Sequence, residues 1–225
     1  MKNILTISCM LVVASLSGQQ RYLGGVLPSV NLSHSFGRDW KVNMKTESRQ
    51  QLFRGGTDRP SGFEYKNQLT DVAFVLARKW RVNQTIAGGY MSRFREGELI
   101  HRFIQQYTIV NRYNNWRIGH RFSADQTFAS EQAGTYRLRY RVTLQLPLQG
   151  ESVDPGEFYV KINNEVLNEW QADDYDLEIR VVPFLGYEIN DNSKVELGID
   201  YRLSSFISGT LDQRYWASMG WFLAI

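Results

Sequence analysis

The chain has 225 residues, of which 43% are hydrophobic, 13% aromatic and 22% charged. With Gly 18 and Pro 5, collagen-like repeats and wholesale disorder are excluded. Lys+Arg 26 against Asp+Glu 23 makes no case for nucleic-acid binding, and the single cysteine excludes a disulfide framework and a thiolate metal site.

Residues 1–18 carry the three parts of a secretory signal: Lys2, an apolar run from Ile4 to Leu16, and the small residues Ala14, Ser15, Ser17 and Gly18. The run is shorter than the roughly 20 residues a membrane-spanning helix needs. Cleavage is expected before Gln19, leaving residues 19–225 as one domain. Cys9 lies inside the signal behind too few apolar residues for a lipoprotein box.

Beyond the signal no helical period is found. Two-residue alternation recurs instead, separated by turn residues. A short strand is expected near Gln20–Val26, turning at Gly24-Gly25 or Pro28; strand parity demands it rather than the local pattern. A second strand then runs to Gly37. Trp40, Val42 and Met44 alternate with Lys41, Asn43 and Lys45, and Glu47 and Arg49 continue the polar face. Tyr65–Arg78 is less regular. Trp80, Val82, Ile86, Gly88 and Tyr90 share a face of Trp80–Phe94, and Ile100–Arg112 follows. Trp116, Ile118 and Phe122 oppose Arg117, Gly119, Arg121 and Ser123.

The clearest strand is Tyr136–Leu146, with Tyr, Leu, Tyr, Val, Leu and Leu on one face and Arg137, Arg139, Arg141, Thr143 and Gln145 on the other. A helix would scatter these residues; a strand sorts them. Phe158, Val160, Ile162 and Val166 oppose Tyr159, Lys161, Asn163 and Glu165. Ile179, Val181, Leu185 and Tyr187 oppose Glu178, Arg180 and Glu188. Val195 to Leu203 oppose Lys194, Glu196, Asp200 and Arg202, and Tyr215 to Ile225 alternate up to the last residue.

A soluble β-sandwich also alternates, but three features favour a membrane barrel. The strands exceed the usual ~5–6 residues and match the ~9–11 that cross a bilayer on a tilt. Trp40, Trp80 and Trp116 each follow a short polar turn at the start of an ascending strand, as an interfacial girdle requires. The chain ends inside a strand, as the insertion signal of outer-membrane proteins does. The expected fold is therefore an all-β, transmembrane, antiparallel up-and-down barrel of about 12 strands, with 10 as the alternative. Short turns at Gly37–Asp39, Arg78-Lys79, Tyr113–Asn115 and Asn190–Ser193 are assigned to the periplasm. Looser connections at Arg54–Gly62, Arg95–Leu99, Ser130–Gly134, Asn168–Asp174 and Ser204–Asp212 are assigned to the outside. Gln149–Glu157 is the exception, long yet periplasmic, and is expected to be mobile.

Glu47-x-Arg49, Gly89-Tyr90, His120-Arg121 with Asp125-Gln126, Arg137-Leu138-Arg139-Tyr140-Arg141, Asn164-Glu165, Arg180 and Gly186-Tyr187 recur in order along the chain. On these residues it resembles domain-of-unknown-function family twenty-four ninety, found among Bacteroidetes and other Gram-negative bacteria. The resemblance covers nearly the whole mature chain and implies an envelope β-barrel without an established activity.

If the apolar faces meet lipid, the lumen is lined by Glu47, Arg49, Arg117, Arg121, Arg137, Arg139, Arg141, Lys161, Glu165, Glu178 and Arg180, joined by Lys41, Lys45, Lys194, Glu196, Asp200 and Arg202. Two readings stay open. Arg–carboxylate ladders plug the barrel, or unpaired basic groups make a narrow anion-preferring pore for small acidic solutes. A third, a lipid-facing hydrolase, needs a serine hydroxyl within hydrogen-bond reach of His101 or His120, and no serine near them sits in a nucleophile motif. Asp173-Asp174-Tyr175-Asp176 lacks the spacing of a calcium loop. No catalytic residue, cofactor or metal site is assigned. The expected partners are outer-membrane lipid and lipopolysaccharide, the barrel-assembly machinery through the C-terminal strand, and small anionic solutes.

Overall fold

The computed structural model describes residues 19–57, 59–130, 132–205 and 210–225; the expected signal lies outside them. Eleven strands are described: β1 (Gln19–Phe36), β2 (Trp40–Gly56), β3 (Arg59–Arg81), β4 (Gln84–Arg95), β5 (Glu98–Arg112), β6 (Arg117–Phe128), β7 (Thr135–Pro147), β8 (Phe158–Gln171), β9 (Asp174–Asn190), β10 (Ser193–Ser204) and β11 (Thr210–Ala224). Each pairs antiparallel with its sequence neighbours, and β1 closes the barrel against β11 in parallel. The lower rim carries the C-terminus, where the Ile225 amide donates to the Ser33 carbonyl; the upper rim carries Gln19.

The count of eleven corrects the expected twelve, or ten. Gly24-Gly25 and Pro28 make no turn, so the two strands expected before Gly37 are one. The glycines serve a different geometry, a register shift against β2. A Cβ on Gly25 would stand 2.1 Å from the Gln50 carbonyl oxygen and 2.9 Å from the Trp216 ring. Parity is then satisfied by the parallel seam, which runs from Gln19↔Thr210 to Ser33↔Ala224.

Two turns also move. The Arg78-Lys79 turn lies instead at residues 82–83, so Trp80 ends a descending strand rather than starting an ascending one. The loose connections shrink because pairing continues through their polar residues, as far as Gly56↔Arg59, Arg95↔Glu98 and Gln171↔Asp174. Glu96 (φ 52°) and Gly97 (φ 86°) both adopt the left-handed conformation that a two-residue hairpin of mirror-image type requires. The difference in loop length between the rims therefore disappears, and the longest connection, residues 148–157, lies on the lower rim. It is tied down on its return: the Gly156 amide donates to the Glu188 carbonyl at 2.7 Å, and the Glu188 amide to that of Glu157 at 3.0 Å.

The faces sort as the alternation demands. Phe74, Phe122, Tyr140, Ile162, Leu185, Ile199 and Met219 are exposed on the outer surface, whereas Asp125, Glu165 and Arg202 are 1–3% exposed inside. Around the lower rim Phe36, Trp40, Trp80, Trp116, Phe158 and Trp221 all face outward; Phe53, Phe63, Phe94, Phe128, Tyr136 and Trp170 do so near the upper rim.

Candidate functional site

Register builds the interior wall. Across β6 to β11 the cross-strand partners Arg121↔Arg141, Arg141↔Glu165, Glu165↔Arg180, Arg180↔Arg202 and Arg202↔Arg214 form one lateral belt. Six positions in that belt hold five arginines and one carboxylate. Glu165, 2% exposed, sits among three of them and one arginine from outside the belt: Arg141 Nε at 2.8 Å, Arg180 Nη1 at 3.2 Å, Arg121 Nη2 at 3.5 Å and, from outside, Arg139 Nη1 at 3.9 Å.

The remaining arginines find carboxylates two residues away, since positions i and i+2 of a strand share a face. Arg202 forks onto Asp200 at 2.9 and 2.7 Å, and Arg180 donates to Glu178. Arg214 binds Asp212, and Arg49 reaches Glu47 at 3.4 Å. Across strands Arg93 forks onto Asp71 at 2.8 and 2.7 Å, Arg139 meets Asp125 at 2.8 Å, and Arg137 donates to Glu169. At the upper rim Lys66 donates to Glu96, and that hydrogen bond holds the exposed Glu96 carboxyl below its ordinary pKa.

These side chains surround a cavity of about 1500 Å³. It is walled from Lys41, at the lower end of β2, to Arg54 and Gly56 at the upper end. Among the described residues seventeen Lys and Arg line it against eleven Asp and Glu, an excess of six positive charges where the whole chain has +3. Glu47, Arg49, Arg121, Arg137, Arg139, Arg141, Lys161, Glu165, Glu178 and Arg180 line it as the alternation required. Arg117 does not; it lies at the foot of β6, donating to Gln145. Lys194 is also outside the lining.

Sequence reasoning named Lys161, Lys194 and Glu196 as lumen groups but did not single out the aromatic rings that gather round them near the lower end. Tyr159, fully buried, lies over Gly186, its cross-strand partner, and donates to Glu196 at 2.8 Å. Lys161 donates to the same carboxylate and stands 4.5 Å from the centre of the Phe184 ring. Lys194 lies 5.9 Å from both Tyr159 and Phe222. The signal for Tyr159, Phe184 and Phe222 was their place on the charged face of their strands, opposite or near Gly186, Gly198 and Gly220. A Cβ at Gly186 would stand 2.2 Å from the Tyr159 ring. Gly186→Ala is therefore expected to lower stability by about 1–3 kcal/mol by displacing Tyr159; urea unfolding of the detergent-folded barrel measures it, and an unchanged midpoint refutes this packing.

On the outer surface His101 and His120 face tyrosines, and His34 faces a backbone carbonyl. The Tyr90 hydroxyl bonds His101 Nδ1, the Tyr140 hydroxyl lies 2.9 Å from His120 Nδ1, and His34 Nδ1 lies 2.6 Å from the Ile225 carbonyl oxygen. Ser92, the cross-strand partner of His101, reaches the Tyr90 hydroxyl at 3.4 Å rather than the imidazole. Of the acidic loop cluster, Asp176 accepts the Leu177 and Ser205 amides at 2.9 Å each.

A family model described as "Protein of unknown function (DUF2490)" matches residues 24–213. No curated protein and no solved structure matches the chain.

Proposed function

Because the chain belongs to the DUF2490 family of proteins of unknown function, its role is to be read from the barrel itself, and we propose an outer-membrane barrel whose basic lumen passes small anions. Residues 1–18 serve as the export signal in this reading, and the β11 strand as the address for the barrel-assembly machinery.

The inversion of the two faces supports the membrane. A soluble protein does not surround itself with exposed Phe, Leu, Ile and Trp while burying its arginines. From Trp116 to Phe128 an extended strand covers roughly 40 Å, or about 30 Å along the axis at the tilt of membrane barrels. That span fits the hydrocarbon zone between two aromatic belts. Bacterial outer-membrane barrels mostly have even strand numbers, but a 19-stranded mitochondrial barrel shows that odd ones occur in membranes.

The observation that carries the transport reading is the cavity's excess of six positive charges. Rings of Arg and Lys lower the barrier for anions and raise it for cations. Planar-bilayer recordings of the purified protein are expected to show small, anion-selective conductance steps, with selectivity reduced in Arg139→Ala. Silence in the bilayer would overturn it. The second reading, a charge-plugged structural barrel, is favoured by the Glu165 cluster and the Tyr159–Lys161–Phe222 cluster, and silence is its expected result.

A further inference from the structure

At the upper rim a side pocket of about 140 Å³ opens beside the main cavity, beneath the segment joining β6 to β7. Four arginines reach it, Arg93 and Arg95 from β4, Arg102 from β5 and Arg137 from β7. Two are neutralised, Arg93 by Asp71 and Arg137 by Glu169. Arg95 and Arg102 form no ion pair among the described residues, so the described groups around the pocket carry a net two positive charges.

Arg102 is the informative one. It is 8% exposed, and a guanidinium that far from water without a counter-ion is costly. Its Nε donates to Thr127 Oγ1 at 2.9 Å, which fixes the plane of the group where it borders both this pocket and the main cavity. Thr127 Oγ1 also accepts from Arg137 Nη1 at 3.1 Å. With two N–H donors aimed at its oxygen, the Thr127 hydroxyl proton is left to donate in turn. The buried Thr135 hydroxyl lines the same pocket. The one carboxylate in the lining, Glu169, is taken up by Arg137, and the arginines and the two threonine hydroxyls present donors.

We propose that this pocket binds a compact dianionic oxyanion of the phosphate class, held by the Arg102 fork, Arg95 and the Thr127 hydroxyl. The residual charge of two matches a dianion, and planar guanidinium forks match phosphate oxygens in pairs. The site deepens the anion-path reading, and rests on it for its role as the first station inside the mouth. Its chemistry is independent of conduction.

The test is equilibrium titration of the detergent-folded barrel, with inorganic phosphate in one arm and a hexose 6-phosphate in the other. Saturable binding in either arm is expected, and the tighter arm separates free phosphate from a phosphate monoester. Arg102→Gln is expected to weaken it at least tenfold and Arg102→Lys less, because the lysine keeps the charge and loses the fork. Arg95→Gln, at an exposed position where folding is not at stake, is expected to weaken it about threefold. Absence of saturable binding in both arms overturns the proposal, as does wild-type affinity in Arg102→Gln or, should that variant not fold, in Arg95→Gln. A silent bilayer recording leaves this result untouched, so the two failures are distinguishable.

Discussion

Glu165→Gln is expected to destabilise the folded barrel by about 3–5 kcal/mol, the cost of leaving buried charges without their counter-ion. The carboxylate is the one acid in a belt of five arginines, and four guanidinium groups lie within 4.0 Å of it. Arg139 keeps Asp125 and Arg180 keeps Glu178 when it goes. Arg121 and Arg141 keep nothing, because neither has another carboxylate among the described residues. Urea titration in detergent, read by the gel mobility of folded and unfolded forms, gives the free energy. Asp125→Asn is the internal comparison: it strips one arginine of its closer acid while leaving Glu165, so its loss should be smaller. A Glu165→Gln loss below that of Asp125→Asn would sink the assignment of Glu165 as the centre of the network.

Trp216→Ala is expected to cost about 3–5 kcal/mol, the range for emptying the site of a buried large aromatic. Trp216 is 1% exposed on the inner face of β11, level with Gly25 on the other side of the parallel seam. Gly25 leaves room for the ring against the backbone of β2, so the indole packs over the place where β1 changes register. Its Nε1 is buried without a hydrogen-bond partner among the described residues. Packing is thus its contribution, and Trp216→Phe, which removes that orphaned donor, should lose much less than Trp216→Ala. Equal losses in the two variants would show that the ring does not fill the seam as described.

How much of this was legible beforehand follows from what a single strand encodes. Period-two alternation decides which face a residue takes, so the Arg137-x-Arg139-x-Arg141 wall and Glu165 could be placed before any pairing was known. Register is a property of two strands. Nothing local announces that Arg141 stands beside Glu165, or that Glu165 stands beside Arg180. Asp71, Arg93 and Arg102 were missed because the inner faces of β3, β4 and β5 are mixed: Leu69 and Ala73, Ala87 and Met91, and Ile100 and Ile104 face inward with them. Gly24-Gly25 was misread because the same dipeptide serves a turn or a close backbone approach, and only the presence of Trp216 on a distant strand decides between them.

The odd strand number has a consequence for how the chain can be rearranged. In an even barrel the two ends emerge side by side, and a short peptide can tie them while new ends are opened elsewhere. Here Gln19 leaves from the upper rim and Ile225 from the lower, with the seam from Gln19↔Thr210 to Ser33↔Ala224 between them. The residues from Gln19 to Ser33 span roughly 45 Å of extended backbone. A circular permutant would need a bridge that long from rim to rim, and a reporter fused before Gln19 would stand at the opposite end of the barrel from one fused after Ile225.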